Sequence, residues 1–181
     1  MAKTAHIART GMSFVTTATR DRRPIFEISR AADLFIDTLL HYRTLGHYKL
    51  HAYVVMPDHV HLILTPQSIT LEQAVALVKN GFEHRIDMNL PVWDEGFTGY
   101  SVANIRDLEV VRAYLHQLPV RAGMAVAAEL YPHSSAYRQT PMVAIATSGS
   151  GVLTSSDAEP GQRPSRKSAV ANATSLHEIA S

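Results

Sequence analysis

The sequence predicts an α+β fold, a ferredoxin-like antiparallel sheet with helices packed on one face. Three observations predict it. Strand-like and helix-like runs follow one another as β-α-β-β-α-β, with further helical sequence behind them. The two central strand runs are parted only by Pro57-Asp58, a break short enough to require a hairpin and therefore antiparallel pairing. Hydrophobic residues make up 46% of the 181-residue chain, enough to supply one domain with a core.

Each element has a local reason. Met12 to Thr19 (MSFVTTAT) is rich in β-branched and aromatic residues and reads as the first strand. After the turn at Arg23-Pro24, Ser29 is the candidate N-cap of a helix that repeats Ala31, Leu34, Phe35, Thr38, Leu39 and Tyr42 at helical spacing. Gly46 suits its end. Tyr48 to Val55 and His59 to Thr65 are the hairpin strands. Thr70 with Gln73 forms a capping-box pattern and opens a second helix through Leu71, Val75, Leu77 and Val78, which Asn80-Gly81 is expected to weaken or end. Tyr100 to Ala103 is a short fourth strand. Asn104 caps a third helix with the stripe Leu108, Val111, Leu115 and Leu118, and Pro119 suits a kink or the start of a further helix, Val120 to Leu130.

From Gln139 onward there is no Phe, Tyr or Trp, and Ser, Ala, Gly and Pro dominate. Such sequence buries too little apolar area to offset its ordering entropy. The expected division is one folded domain over residues 9–138 and a disordered C-terminal tail over 139–181, within which Met142 to Thr147 (MVAIAT) could pair locally.

Composition narrows the function. No cysteine occurs, which excludes a disulfide scaffold, a thiolate zinc site and a cysteine nucleophile. No apolar run reaches membrane-spanning length and the first residues lack a signal-peptide core, so a cytoplasmic protein with no membrane partner is expected. The net charge is only +1, yet residues 1–30 hold six Arg or Lys against two acids. The cluster Arg20-Asp21-Arg22-Arg23 between two apolar segments reads as an exposed loop with affinity for phosphate.

Two further signals carry chemistry. In His59-Val60-His61 the strand period of two puts both imidazoles on one face, where they can reach one divalent cation or stand as ordinary half-exposed histidines. Tyr114 falls on the flank of the third helix's apolar stripe, beside Val110 and Gln117. Its ring can pack while its hydroxyl reaches a cleft. A phenol needs a cation or general base to act as a nucleophile.

Taken in order, these segments resemble a family. Val54-Val55-Met56-Pro57-Asp58-His59-Val60-His61-Leu62-Ile63-Leu64 is similar to the HUH segment of single-tyrosine transposases, most closely the REP-associated tyrosine transposases. Phe14 to Phe26 resembles their first strand and basic turn, and Lys79 to Phe82 their middle helix. Trp93-Asp94-Glu95-Gly96-Phe97 resembles their Trp-x-x-Gly-Phe element. Tyr114-Leu115-His116-Gln117-Leu118-Pro119-Val120-Arg121-Ala122-Gly123-Met124 resembles Tyr-Ile-His-x-Asn-Pro-Val-Arg-Ala-Gly-Leu, and Tyr131-Pro132-His133-Ser134-Ser135 resembles Tyr-Pro-Trp-Ser-Ser. The likeness runs from about Gly11 to Ser135.

The resemblance implies an HUH endonuclease type of fold and a DNA strand transferase that cleaves and rejoins hairpin-bearing single-stranded DNA. By it, His59 and His61 hold Mg²⁺ or Mn²⁺, and Tyr114 forms a 5′-phosphotyrosine link. Arg20, Arg22, Arg23, Lys79, Arg85 and Arg121 contact DNA phosphates. The chain acts as a monomer or a homodimer at a bacterial nucleoid. The family's Asn four residues after the tyrosine is Leu118 here, which cannot ligate a metal; Gln117, His116 or water would substitute, with Gln117 the chosen ligand. Gly99-Tyr100-Ser101 departs from the family's more polar sequence, and His133 replaces a Trp. These departures leave open a catalytically degenerate, domesticated DNA-hairpin binder. A metal phosphodiesterase that activates water is a third reading.

Overall fold

In the computed structural model, which describes residues 11–138, four strands form one antiparallel sheet in the order β2-β3-β1-β4. They are β1 (Ser13–Ala18), β2 (Tyr48–Met56), β3 (His59–Pro66) and β4 (Thr98–Ser101). The helices are α1 (Ser29–Thr44), α2 (Leu71–Ile86) and α3 (Ile105–Arg121). The α+β, ferredoxin-like reading is therefore observed. The proposed tail, 139–181, lies outside the described residues.

Two helices cover one face, and the third lies on the other. Val15, Val55, Val60, Leu62 and Leu64 point to α1 and α2 and join Phe35, Leu39, Val75, Val78 and Phe82. Phe26, Phe35, Phe82 and Trp93 form an aromatic knot with centroids 5.4–5.7 Å apart. On the opposite face Phe14, Ala52, Val54, Met56 and Ile63 meet Leu108 and Leu115 of α3 together with Tyr131. Placing every helix on one face is thus corrected for α3. Its apolar stripe is needed there because β1, β2 and β3 are hydrophobic on both faces.

A bulge at His51 makes this two-sided burial possible in β2. Leu50 pairs with Leu64 and Ala52 with Ile63, leaving His51 as the extra residue. The parity of the strand flips there. Tyr48 and Leu50 accordingly face α1 and α2, whereas Ala52, Val54 and Met56 face α3.

Several boundaries differ from expectation. Ser29 is the first helical residue of α1, and Ile28 caps it without a side-chain bond. The capping box at Thr70 and Gln73 forms as expected. Helix α2 runs through Asn80-Gly81 to Ile86, because packing outweighs a propensity cost of about 1 kcal/mol. Gly81 stands where the ring of Tyr42 crosses α2, and a Cβ there would lie 2.6 Å from Tyr42 Oη. Strand β4 lies two residues earlier than expected, since Thr98 and Tyr100 pair with Thr16 and Phe14. The Asn104 cap accepts from the Arg106 and Asp107 amides.

The separate helix Val120–Leu130 does not form. Helix α3 instead carries Pro119 in its last turn and stops in a Schellman turn, with Gly123 at φ 72° and the Met124 amide donating to Pro119 O. Only a short 3-10 turn, Ala128–Leu130, follows. Beyond it, Tyr131 Oη donates to Val55 O at 2.7 Å and the Val55 amide donates to His133 O, tying the end of the domain to β2.

Candidate active site

The alternation of β3 places His59 and His61 on the α3 face, beside Ile63. Their rings are 4.8 Å apart, nearly perpendicular. Each is held by its Nδ1. His59 Nδ1 lies 2.5 Å from Asp58 Oδ1, and His61 Nδ1 lies 2.7 Å from Thr16 Oγ1, its cross-strand partner on β1. With both Nδ1 atoms so engaged, both Nε2 atoms remain for a ligand.

Charge around the pair is ordered as well. Asp58 also accepts from Arg22 Nη1 at 3.4 Å. Burial alone would raise the Asp58 pKa, but the bond and charge of His59 and then of Arg22 outweigh it and hold the carboxyl below its usual range. His61 is pushed down to about 4, chiefly by burial and then by the positive charges of His59 and Arg22. It is neutral at pH 7, the form that ligates a metal.

The basic turn is pinned against this site. Asp21 and Arg22 hold left-handed backbones, φ 56° and 53°, at a cost on the order of 1–3 kcal/mol each. Buried Thr19 fixes the turn: its hydroxyl lies 2.7 Å from Arg23 O and 2.9 Å from Asp58 O, and its amide donates to Asp58 O. Arg20 is exposed on the same turn, and its amide donates to Val92 O.

Helix α3 lies over β2. His116 Nε2 meets Ser135 Oγ at 2.9 Å, and Ser135 Oγ accepts from the Tyr53 amide. Tyr53 is one register position from Val54, the partner of His61, so this stretch of α3 is level with the histidines. His116 thus faces the β2 flank, away from Tyr114. Tyr114 is half-exposed on the other flank, and the Tyr100 hydroxyl of β4 is held above the usual phenol range by burial and then by the charge of Tyr114. The Arg121 guanidinium sits 5.1 Å above the Tyr114 ring. Tyr100 stacks on Phe14 at 5.0 Å, and Phe14 is 5.4 Å from His61. A row of rings therefore runs from the imidazoles to Tyr100 on β4.

Other expected site residues are placed elsewhere. Gln117 is exposed and lies about 180° around α3 from the buried Leu108, on the solvent side of the helix. Leu118, not Gln117, packs toward the sheet. Among the described residues no three His, Cys, Asp or Glu side chains converge as a metal cluster. Arg23 is committed to Arg20 O at 3.1 Å and to Pro91 O. Lys79 Nζ donates to Asp94 O and Gly96 O and lies 5.9 Å from the Trp93 ring centroid. Arg85 ties α2 to Thr38 and Asp37 of α1, across the sheet from the histidines. These three bind the fold, leaving Arg20, Arg22 and Arg121 near the site. A cavity of about 740 Å³ lined by Ile28, Leu34, Arg85 and Met88 also lies beside α1 and α2, not at the histidines.

Sequence reading missed Thr16, Asp58 as a ring anchor, Phe14 and Tyr100. Asp58 carried a usable signal, a carboxylate adjoining the first histidine. Thr16 and Tyr100 carried none without the register.

Comparison with known proteins agrees with this architecture. A solved structure of a REP-associated tyrosine transposase bound to a REP hairpin superposes with a TM-score of 0.64 at 20% identity, over 74% of this chain and 81% of that one. A Deinococcus radiodurans R1 protein assigned as a transposase aligns with a TM-score of 0.44 at 23% identity, over 65% and 98%. No curated protein sequence matches the chain. The model of the family described as "Transposase IS200 like" matches residues 12–118, from β1 to the last turn of α3, and the chain belongs to that family.

Proposed function

We propose that the protein cleaves and rejoins hairpin-bearing single-stranded DNA through a covalent 5′-phosphotyrosine on Tyr114. One observation carries the reading: two adjacent imidazoles, each fixed at Nδ1, on the sheet face that α3, the helix bearing Tyr114, covers. The donor set fits a divalent cation. His59 and His61 would offer Nε2 to Mn²⁺ or Mg²⁺, and two imidazoles suit Mn²⁺ at least as well as the harder Mg²⁺. Bound there, such an ion would supply polarisation of a phosphate oxygen.

The chain's own groups supply the rest. Tyr114 Oη attacks phosphorus, forming an O–P bond as the bond to the 3′ oxygen breaks. The phenol proton goes to solvent, and the departing 3′ oxygen takes one up. A second 3′-hydroxyl then displaces the phenol, so rejoining needs no nucleotide cofactor. Arg121 over the Tyr114 ring holds the nucleophile and places positive charge where the phosphate arrives. Arg20 and Arg22 would meet neighbouring phosphates. The hairpin preference comes from the REP-associated transposase, which is bound to a REP hairpin.

The test is incubation with hairpin-bearing single-stranded DNA and Mn²⁺, followed by a denaturing gel. Wild type is expected to yield a covalent protein–DNA band. Tyr114→Phe and chelation each abolish it, while the hairpin affinity of Tyr114→Phe is kept. Cleavage by Tyr114→Phe would refute the nucleophile. Leu118 in place of an amide, with Gln117 turned outward, favours one second reading, a hairpin-binding protein without catalysis. That reading predicts no band from wild type and unchanged binding by Tyr114→Phe.

A further inference from the structure

We propose that Tyr100 is a stacking platform for a nucleobase next to the phosphate that Tyr114 attacks. The inference deepens the reading above and rests on it. Its occupant is an unpaired base of a single DNA strand.

Register fixes the platform. Phe14 and Tyr100 are direct partners across β1 and β4, so their side chains leave the sheet on the same face, the face of His61. Phe14 is buried, and Tyr100 stacks on it with ring planes 17° apart. Phe14 in turn is braced by the His61 ring at 5.4 Å. Tyr100 thus has a rigid backing, yet it is 45% exposed.

Position makes the exposure useful. Strand β4 is the outer strand, so among the described residues nothing in the sheet lies beyond Tyr100. Phe14 links it to the His61 ring, and the charge of Tyr114 on α3 reaches its hydroxyl. A phosphodiester between Tyr114 and the histidines would carry its sugar and base toward one side or the other, and β4 offers an aromatic surface there. Stacking on an aromatic ring suits any base, needs no hydrogen-bond code and is available only where bases are unpaired. The platform therefore selects single-stranded over duplex DNA at the point of attack. Glycine on one side and serine on the other leave the ring free of bulky flanks.

The experiment uses the full chain and hairpin-bearing oligonucleotides carrying 2-aminopurine at successive single-stranded positions, titrated in chelator so that binding is read without cleavage. Quenching is expected at one position in wild type and in Tyr100→Phe. Tyr100→Ala is expected to lose that quenching and to bind about 5- to 100-fold more weakly. An abasic site at the same position should erase the difference between wild type and Tyr100→Ala, which a merely structural loss would not do. Tyr100→Phe controls for folding.

Quenching that survives in Tyr100→Ala, or a Tyr100→Ala defect that persists on the abasic strand, overturns the proposal. Failure of wild type to bind any single strand overturns it together with the transferase reading. Tyr100-dependent quenching without a covalent band in Mn²⁺ supports the platform and sinks the transferase reading alone.

Discussion

Replacing Thr16 by valine removes one hydroxyl from β1 and leaves the shape of the side chain almost unchanged. That hydroxyl is 2.7 Å from His61 Nδ1 and is the bond that orients the ring. The ring's aromatic neighbours, Phe14 at 5.4 Å and His59 at 4.8 Å, constrain it by contact only. Loss of such an outer partner of a metal-binding histidine weakens metal affinity by about 10- to 100-fold, or ~1.4–2.7 kcal/mol. The fold should not suffer, because valine favours strands and the backbone ladder to His61 and Thr98 is untouched. The assay is a titration of the full chain with Mn²⁺ followed by electron paramagnetic resonance of the free ion, with urea unfolding in parallel. Weaker Mn²⁺ binding at unchanged stability is expected. Unchanged Mn²⁺ affinity in Thr16→Val would refute the argument that this hydroxyl sets the ligand geometry.

Two other consequences follow from charge. His61 ionises near pH 4 in the folded chain, against an ordinary value of 6.5. As pH falls from 6.5 towards 4 the unfolded chain binds a proton that the folded chain refuses, so stability drops across that window by up to roughly 3 kcal/mol. Urea unfolding in chelator at pH 7.5 and 4.5 measures it; an equal drop in His61→Phe would exclude His61 as the source. The basic residues divide by partner. Arg22→Ala should lower the salt slope of single-strand binding by about one, whereas Lys79→Met should leave it unchanged and cost about 1–3 kcal/mol of stability through the lost bonds to Asp94 O and Gly96 O. A lower salt slope in Lys79→Met would show that its ammonium reaches DNA after all.

How far the sequence reached depended on how local each feature was. The succession of strands and helices up to α3, the hairpin at Pro57-Asp58, the capping box at Thr70 and the Asn104 cap are written within a few residues and formed as read. Boundaries that depend on packing moved. Helix α2 passes Gly81 because Tyr42 of α1 crosses it there, and α3 continues through Pro119 before the Schellman turn. The same holds at the site. Strand alternation put His59 and His61 together, and helix spacing put Tyr114 on a flank. The intramolecular partners of the cations were not legible, since Arg23, Lys79 and Arg85 donate to carbonyls and side chains distant in sequence.

What the sequence alone determined is the set of parts: the alternating elements, two imidazoles on one face, a tyrosine beside an apolar stripe and the ordered motifs of a family. Period and spacing fix these, and both are properties of neighbouring residues. Tertiary structure decided which face each part meets. It placed α3 opposite α1 and α2, turned Gln117 to solvent, set Thr16 against His61 and stacked Tyr100 on Phe14. Those relations come from strand register and from burial of both faces of the sheet, which depend on pairings between residues far apart in the chain.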